Sequence, residues 1–325
     1  MAYRAEIPYG AYWSTPFAKW QGSFASLHSV EFAAHVAKAE LARRQIEPDA
    51  FDFGVLGMTV PQKSSFYGLP WFMGLIGATK VGGPTINQAC ATGVRCLLAA
   101  TQEIEANLAV TALVATCDRT SNGPHVVYPN PTAPGGTAAH ENWVLDNFGC
   151  DPLGGHSMLQ TAENVAAKYG VTTAQQHDVV LMRYGQYQEA LQNEQAFQKR
   201  YITLPFSVPK ASFRGESSVL PGDEGIFPTS AEGLVKYAVA LSSALSQTNG
   251  WVRLPSSKSP VIELSIMLPT SKPWFPRLLT STKLPRLVVG ISRPSCSRPL
   301  PFASSARSIA FERTADQRRC LRSHK

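Results

Sequence analysis

The segment PTINQACATGVRCLLAATQEI, residues 84–104, places a cysteine where chemistry is easiest to build. A short apolar strand, PTINQ, runs into Cys90. A small-residue turn follows, and then an amphipathic helix from about Ala91 to Asn107. A helix start carries about half a positive charge and several unpaired N–H groups. Such a site favours a thiolate and can lower a cysteine pKa from about 8.5 to roughly 3.5–7.5. Cys90 is therefore a candidate nucleophile, and Gly93 leaves room for a substrate one turn away. The residues alone also admit a plainer reading, in which Cys90 is a small buried residue in a strand-to-helix turn. Cys96, six positions on, reads as core.

The other chemistry-bearing side chains form no comparable pattern. Six cysteines (Cys90, Cys96, Cys117, Cys150, Cys296, Cys320) show no CxxC and no metal-ligand spacing with the seven histidines, so no metal site is expected. Scattered cysteines in 325 residues fit a reducing compartment, and a cytoplasmic location is expected. His125 and His140 lie in a long polar stretch and read as solvated. Asp118 and Arg119 follow a strand end and read as loop-shaping. No run of 18 apolar residues appears and the N-terminus lacks a secretory h-region, so neither a membrane span nor a cleaved address is expected.

Elements that position Cys90 are legible upstream and downstream. Ser29 is placed to cap a helix SVEFAAHVAKAELARRQI, with Phe32, Ala33, Val36 and Ala37 on its apolar side. FDFGVLGMTV (51–60) reads as a buried strand ending at Pro61. LPWFMGLIGA (69–78) reads as a short buried helix with Pro70 in its first turn. The helix after Cys90 presents Val94, Leu97, Leu98, Ile104 and Leu108 at helical spacing. TALVATCD (111–118) reads as another apolar strand. Strands alternating with helices predict an α/β layer with a mostly parallel sheet.

From Arg119 to about Gly155 the chain is rich in Gly, Pro, Asn and Thr and reads as a long excursion. Two helices follow. MLQTAENVAAKYG ends on Gly170, a suitable left-handed residue. TTAQQHDVVLMRYGQYQEALQ offers Thr173 and Gln176 as a capping box, with Val180, Tyr184, Tyr187 and Leu191 on one face.

Charge divides the chain. Residues 1–235 hold 15 Lys and Arg against 20 Asp and Glu; residues 236–325 hold 15 against 3. The segment from Tyr237 to Cys320 has nine prolines and two glycines, so long elements are not expected there. The tail's charges are dispersed among prolines without a stacking or helix motif, which argues against nucleic acid.

Three separated motifs in the first 236 residues resemble the thiolase family, in family order. INQACATG resembles its nucleophile motif. STPFAKWQGSFASLHSVEFAAHVAKAEL (14–41) resembles its N-terminal stretch. SMLQTAENVAAKYGVTTAQQHDVVLMRYGQYQEAL (157–191) resembles its loop domain, and GDEGIFPTSAEGLVK (222–236) the end of that domain. The resemblance implies a thiolase-like α/β fold: an N-terminal βαβαβαββ half (1–120), an inserted coenzyme A-binding loop domain (121–236), and an unmatched basic tail (237–325).

It further implies acyl transfer between coenzyme A thioesters, as 3-ketoacyl-CoA cleavage or acetyl-CoA condensation in fatty acid metabolism. Cys90 would carry the acyl group, and Met158 would line the acyl pocket. His156 would lie near the pantetheine path. No bound cofactor is implied; the coenzyme A thioester is substrate, and the family suggests a homodimer or homotetramer.

The chain departs from that pattern in its second half. The family's activating histidine and second cysteine have no counterpart motif. Between His177 and His324 there is no histidine, and Cys296 sits in SRPSCSRPL where the pattern wants Cys-x-Gly. Phe227 stands where many members have an arginine. The compositional break at about residue 236 predicts an out-of-frame second half. A non-catalytic relative that binds coenzyme A or is acylated without turnover is the alternative reading, and an interaction protein using the basic tail is a third. Lacking a second half, the helices after Cys90 are expected to expose apolar surface.

Overall fold

The computed structural model describes residues 4–236 and, for the backbone, 287–291. These lie within one unit, Met1–Ser292. Its centre is a five-stranded sheet in the order β1–β9–β4–β2–β3. The strands are β1 (Tyr12–Trp13), β2 (Phe53–Gly57), β3 (Thr85–Ile86), β4 (Thr111–Thr116) and β9 (Leu287–Ile291). β2 runs parallel to β3 and β4; β9 runs antiparallel to β4 and β1. The α/β expectation holds, and its parallel part is the β3–β2–β4 triplet.

Period-two alternation sends successive side chains of each strand to opposite faces. Leu56, Leu113 and Ala115 face one core, made with helices α1 (Ser29–Arg43) and α2 (Leu69–Ile76). Val55, Ala112 and Val114 face the other, made with α3 (Thr92–Glu105). β4 is therefore apolar on both faces, as a strand sandwiched between helix layers must be.

The buried stripe of α1 includes Val30, Ala34, Ala37 and Leu41, spaced i, i+4, i+7, i+11. Phe32 and Ala33 are only partly buried at its margin. Ser29 does not cap this helix. It is the first helical residue, and its backbone N–H donates to the Gln62 side chain at 3.0 Å, so the cap comes from a distant loop. α2 carries Pro70 in its first turn and ends on Gly77, whose φ of 98° needs a residue without Cβ.

Glu40 anchors α1 to two other segments. Its carboxylate accepts from the Thr203 hydroxyl at 2.6 Å, from Arg43 at 2.9 Å and from Arg44. Arg44 also donates to the carbonyls of Gly10 (2.7 Å) and Tyr12 (2.9 Å) and lies over the Trp13 ring. Burial alone would raise the Glu40 carboxyl; the Thr203 hydroxyl and the two guanidinium groups together hold it below its ordinary value.

The excursion after β4 contains structure of its own. β5 (His125–Tyr128) and β6 (Ala139–Asn142) form an antiparallel ribbon, followed by the short helix α4 (Leu145–Gly149). Trp143 Nε1 donates to the Thr59 carbonyl at 3.0 Å and pins this region to the loop after β2. Then come α5 (Met158–Tyr169), α6 (Thr173–Ala190), the irregular α7 (Gln192–Lys199) and the ribbon of β7 (Phe206–Pro209) with β8 (Glu216–Leu220).

α5 ends on Gly170 at φ 65°, as its sequence predicts. The capping box of α6 is Thr172 with Gln175, one residue before the expected pair. Tyr187 is the buried residue of α6. α5 buries no residue, and Met158, Leu159, Val165 and Tyr169 are exposed along it. The expected 237–325 segment lies outside the described residues except for β9.

Candidate active site

Cys90 sits in a single tight turn, Ala89–Ala91, between β3 and α3. The turn is sharp enough that Ala89 adopts φ 44°, a conformation few residues with a Cβ accept. Side chains on both sides hold it there. Asn87 Oδ1 accepts the Ala89 N–H at 3.0 Å. Thr92 Oγ1 accepts the Gln88 N–H at 2.8 Å and donates to the Ala89 carbonyl at 2.8 Å. A strained turn that its surroundings over-determine is a common device for presenting a reactive side chain.

Beneath the turn, Gly57 lets α3 approach the sheet. A Cβ at that position would stand 2.8 Å from both Cys96 Sγ and Thr92 Cγ2, and 2.9 Å from Thr116 Cγ2. Gly57→Ala therefore forces the start of α3 outward. The expected result is a loss of about 1–3 kcal/mol in denaturant unfolding, the usual cost of overpacking a tight site.

Exposure separates the cysteines. Cys90 and Cys150 are exposed; Cys96 and Cys117 are buried. Burial pushes the Cys96 thiol up to about 11. Burial, with the Asp118 carboxylate beside it, pushes Cys117 up to about 12. Neither buried thiol is available as a thiolate near neutral pH. Cys96 is core, as its position predicts. The sequence expectation for the α3 face needs correction: Val94 and Leu108 are exposed, and the buried line is Thr92, Cys96, Ala100 and Ile104.

Asp118 shapes the loop after β2. Its carboxylate accepts the N–H groups of Thr59 and Val60, each at 2.8 Å, and the Thr59 hydroxyl. Arg119 donates to the Leu27 carbonyl at 2.7 Å and to the Asn122 carbonyl at 3.2 Å. His125 and His140 are exposed on the β5–β6 ribbon.

His156 and Met158 belong to a different local structure. Asp151 closes the loop before α5: its carboxylate accepts from Leu153 and Gly154, and its N–H donates to the His156 carbonyl. Those donors hold the Asp151 carboxyl below its ordinary value. Ser157 caps α5 through Gln160 N–H at 3.1 Å, and Met158 opens the helix, half exposed. Among the described residues, no hydrogen bond, ion pair or ring contact joins His156 or Met158 to Cys90.

Sequence reasoning missed the role of Asp223 and Glu224. Asp223 accepts the Phe17 N–H at 2.9 Å and the Tyr187 hydroxyl at 3.2 Å. Glu224 accepts the Ser23 N–H at 2.9 Å and faces Lys19. Asp223 ties Phe17 to Tyr187 of α6, and Glu224 holds Lys19 and Ser23. The signal was the adjacent acid pair in GDEG, a spacing with no meaning until the loop it meets is known.

The thiolase N-terminal domain model matches residues 11–250. The chain belongs to the thiolase family. An acetyl-CoA acetyltransferase of Allochromatium vinosum is 29% identical over 245 residues, which covers 71% of this chain and 58% of that protein. A probable acetyl-CoA acetyltransferase of Escherichia coli is 26% identical, covering 73% of this chain and 59% of that protein. Among solved structures, human mitochondrial 3-ketoacyl-CoA thiolase aligns with a TM-score of 0.62 at 21% identity, covering 72% of this chain and 59% of that one. The fold is thus a thiolase fold over its N-terminal portion, and the chain spans under three fifths of the length of these relatives. No helix among the described residues is long and apolar enough to cross a membrane.

Proposed function

We propose that the chain accepts an acyl group from a coenzyme A thioester onto Cys90. The Cys90 thiolate attacks the thioester carbonyl, the carbon–sulfur bond to coenzyme A breaks, and coenzyme A leaves as its thiol while an S-acyl cysteine forms. The observation that carries this reading is the exposed thiol on a clamped, strained turn at the start of a 14-residue helix. The N-terminal end of α3 favours negative charge, both on the attacking sulfur and on the carbonyl oxygen as it reacts. Family membership supplies the donor class.

His156 and Met158 are proposed to contact the thioester arm and the acyl group, with α5 and α6 meeting coenzyme A. A soluble cytoplasmic homodimer or homotetramer acting in fatty acid metabolism extends the same proposal. A full thiolase cycle, in either direction, also needs a group to move the α-proton. The second reading, acylation without turnover, is favoured by a specific observation: none of the described histidines hydrogen-bonds to Cys90. We further propose that residues 237–325 arise from a shifted reading frame. Sequencing the coding DNA around codon 236 decides that point, because a restored frame must yield His- and Gly-rich motifs.

Intact-mass spectrometry after mixing the chain with acetyl-CoA tests the function. The expected product carries one acetyl group on Cys90, with one equivalent of free coenzyme A thiol released. Continued thiol release beyond one equivalent identifies turnover, and a stop at one identifies the second reading. No acetylated protein and no thiol release overturn both.

A further inference from the structure

Thr92 closes the Cys90 turn and begins α3, and it is only 6% exposed. Its hydroxyl accepts the Gln88 N–H and donates to the Ala89 carbonyl, so both its donor and an acceptor lone pair are spent on the turn. The Thr92 N–H donates to the same carbonyl. The grip falls on the two residues that precede Cys90, and one of them is the strained Ala89. Asn87 holds the Ala89 N–H as well, but from an exposed position where water competes for the bond.

A helical threonine divides between two χ1 wells, because its hydroxyl can return to a carbonyl one turn back. Here the sheet selects between them. Gly57 leaves a notch in β2, and a Cβ in that notch would stand 2.8 Å from Thr92 Cγ2. The methyl seated against the notch leaves the hydroxyl aimed at the turn, and a χ1 rotation that moved one would move the other. Core packing thereby fixes the main chain at Cys90.

We propose that Thr92 is a positioning residue for Cys90: its hydroxyl, oriented by the seat of its methyl against Gly57, holds the turn that places the sulfur for attack on the thioester. Thr92 acts through the main chain, since its burial leaves it no surface to offer a substrate. This role rests on the reading of Cys90 as the acylated nucleophile.

Single-turnover acetylation of Cys90, followed by mass against acetyl-CoA concentration, tests it in wild type, Thr92→Val and Thr92→Ser. Thr92→Val keeps the methyl contact and loses both hydroxyl bonds. Its saturating rate is expected to fall by about 10- to 100-fold, the scale of a misplacement near 1 Å. Its half-saturating concentration is expected to stay within about twofold of wild type, because no substrate contact is lost. Iodoacetamide needs an exposed thiol but no docked geometry, and it is expected to label Cys90 in this variant within about threefold of the wild-type rate. Thr92→Ser keeps the hydroxyl and is expected to acetylate within about fivefold of wild type. Amide exchange at Gln88 reads the hydroxyl bond directly in the wild-type chain, with protection of about tenfold or more over a free peptide expected; should Thr92→Val not fold, that measurement and Thr92→Ser decide. A saturating rate in folded Thr92→Val within about twofold of wild type, equal losses of acetylation and alkylation, no recovery in Thr92→Ser, or an unprotected Gln88 amide overturns the proposal. Wild-type chain that is alkylated at Cys90 but never acetylated overturns the Cys90 reading itself, and the positioning role with it.

Discussion

Cys90→Ser is expected to eliminate acetyl incorporation from acetyl-CoA. The change removes one polarisable sulfur and leaves the turn intact, because the clamp is made by Asn87, Thr92 and main-chain groups rather than by the thiol. Among the described residues no base hydrogen-bonds at this position, and a serine hydroxyl without one stays protonated at neutral pH. The rate of acyl transfer should fall by at least about 10³-fold, the scale seen when an enzyme loses its nucleophile. Cys150→Ser serves as the control, since Cys150 is also exposed but ends the short α4 rather than opening a long helix. Labelling that survives Cys90→Ser and disappears in Cys150→Ser would remove the basis for assigning the nucleophile.

The placement of Cys90 between a strand and a helix was legible in the sequence, because that order is a local pattern. The same is true of α1, β2, α2 and β4, whose apolar periodicity and flanking Pro or Gly mark them out. What the pattern concealed were interactions between distant segments. Val94 and Leu108 invited a reading of α3 by its largest residues, but the helix packs against Gly57 and must turn Cys96 and Ala100 inward to fit. Small residues at a close contact carry little hydrophobic signal, so the expected face holds only in part: Ile104 is buried and Leu97 packs against the core, while Val94 and Leu108 are exposed. The exposed Val94 and Leu108 agree with the expectation that helices after Cys90 show apolar surface.

Ser29 misled for a related reason. Serine before an apolar run is a usual cap, yet Gln62 supplies the acceptor from 33 positions away. β9 was hidden by its surroundings: five apolar residues between two prolines are too few to announce a strand, and only an open edge on β4 gives them a place. The α6 capping box shifted by one because Thr172 and Thr173 are adjacent and either satisfies the spacing rule. In each case composition narrowed the options, and a tertiary partner selected among them.

The Glu40 network is the clearest example of such a partner, and it makes a sharp prediction about pH. Glu40→Ala removes the acceptor shared by Thr203, Arg43 and Arg44. Arg43 faces water and loses little. Arg44 is largely enclosed and keeps the Gly10 and Tyr12 carbonyls, but its charge is left without a counter-ion beside Trp13. Breaking a buried pair by deleting one member costs about 3–5 kcal/mol, and partial solvent access at Arg43 places the expected loss near about 3 kcal/mol. Because domains are stable by only about 5–15 kcal/mol, this is a large fraction of the total.

The sign of the pH effect follows from the direction of the shift. Folding holds the Glu40 carboxyl below its ordinary value of 4.5. Its contribution is therefore complete above that value and declines as pH falls through the lower, folded-state value. Urea melts at a series of pH values should show wild type losing its advantage over Glu40→Ala only in that acid range. Glu40→Gln, which keeps an acceptor oxygen but no charge, should lie between the two at neutral pH and show no matching acid loss. A gap between wild type and Glu40→Ala that stays constant down through the acid range would mean that Glu40 acts by filling space rather than through its charge.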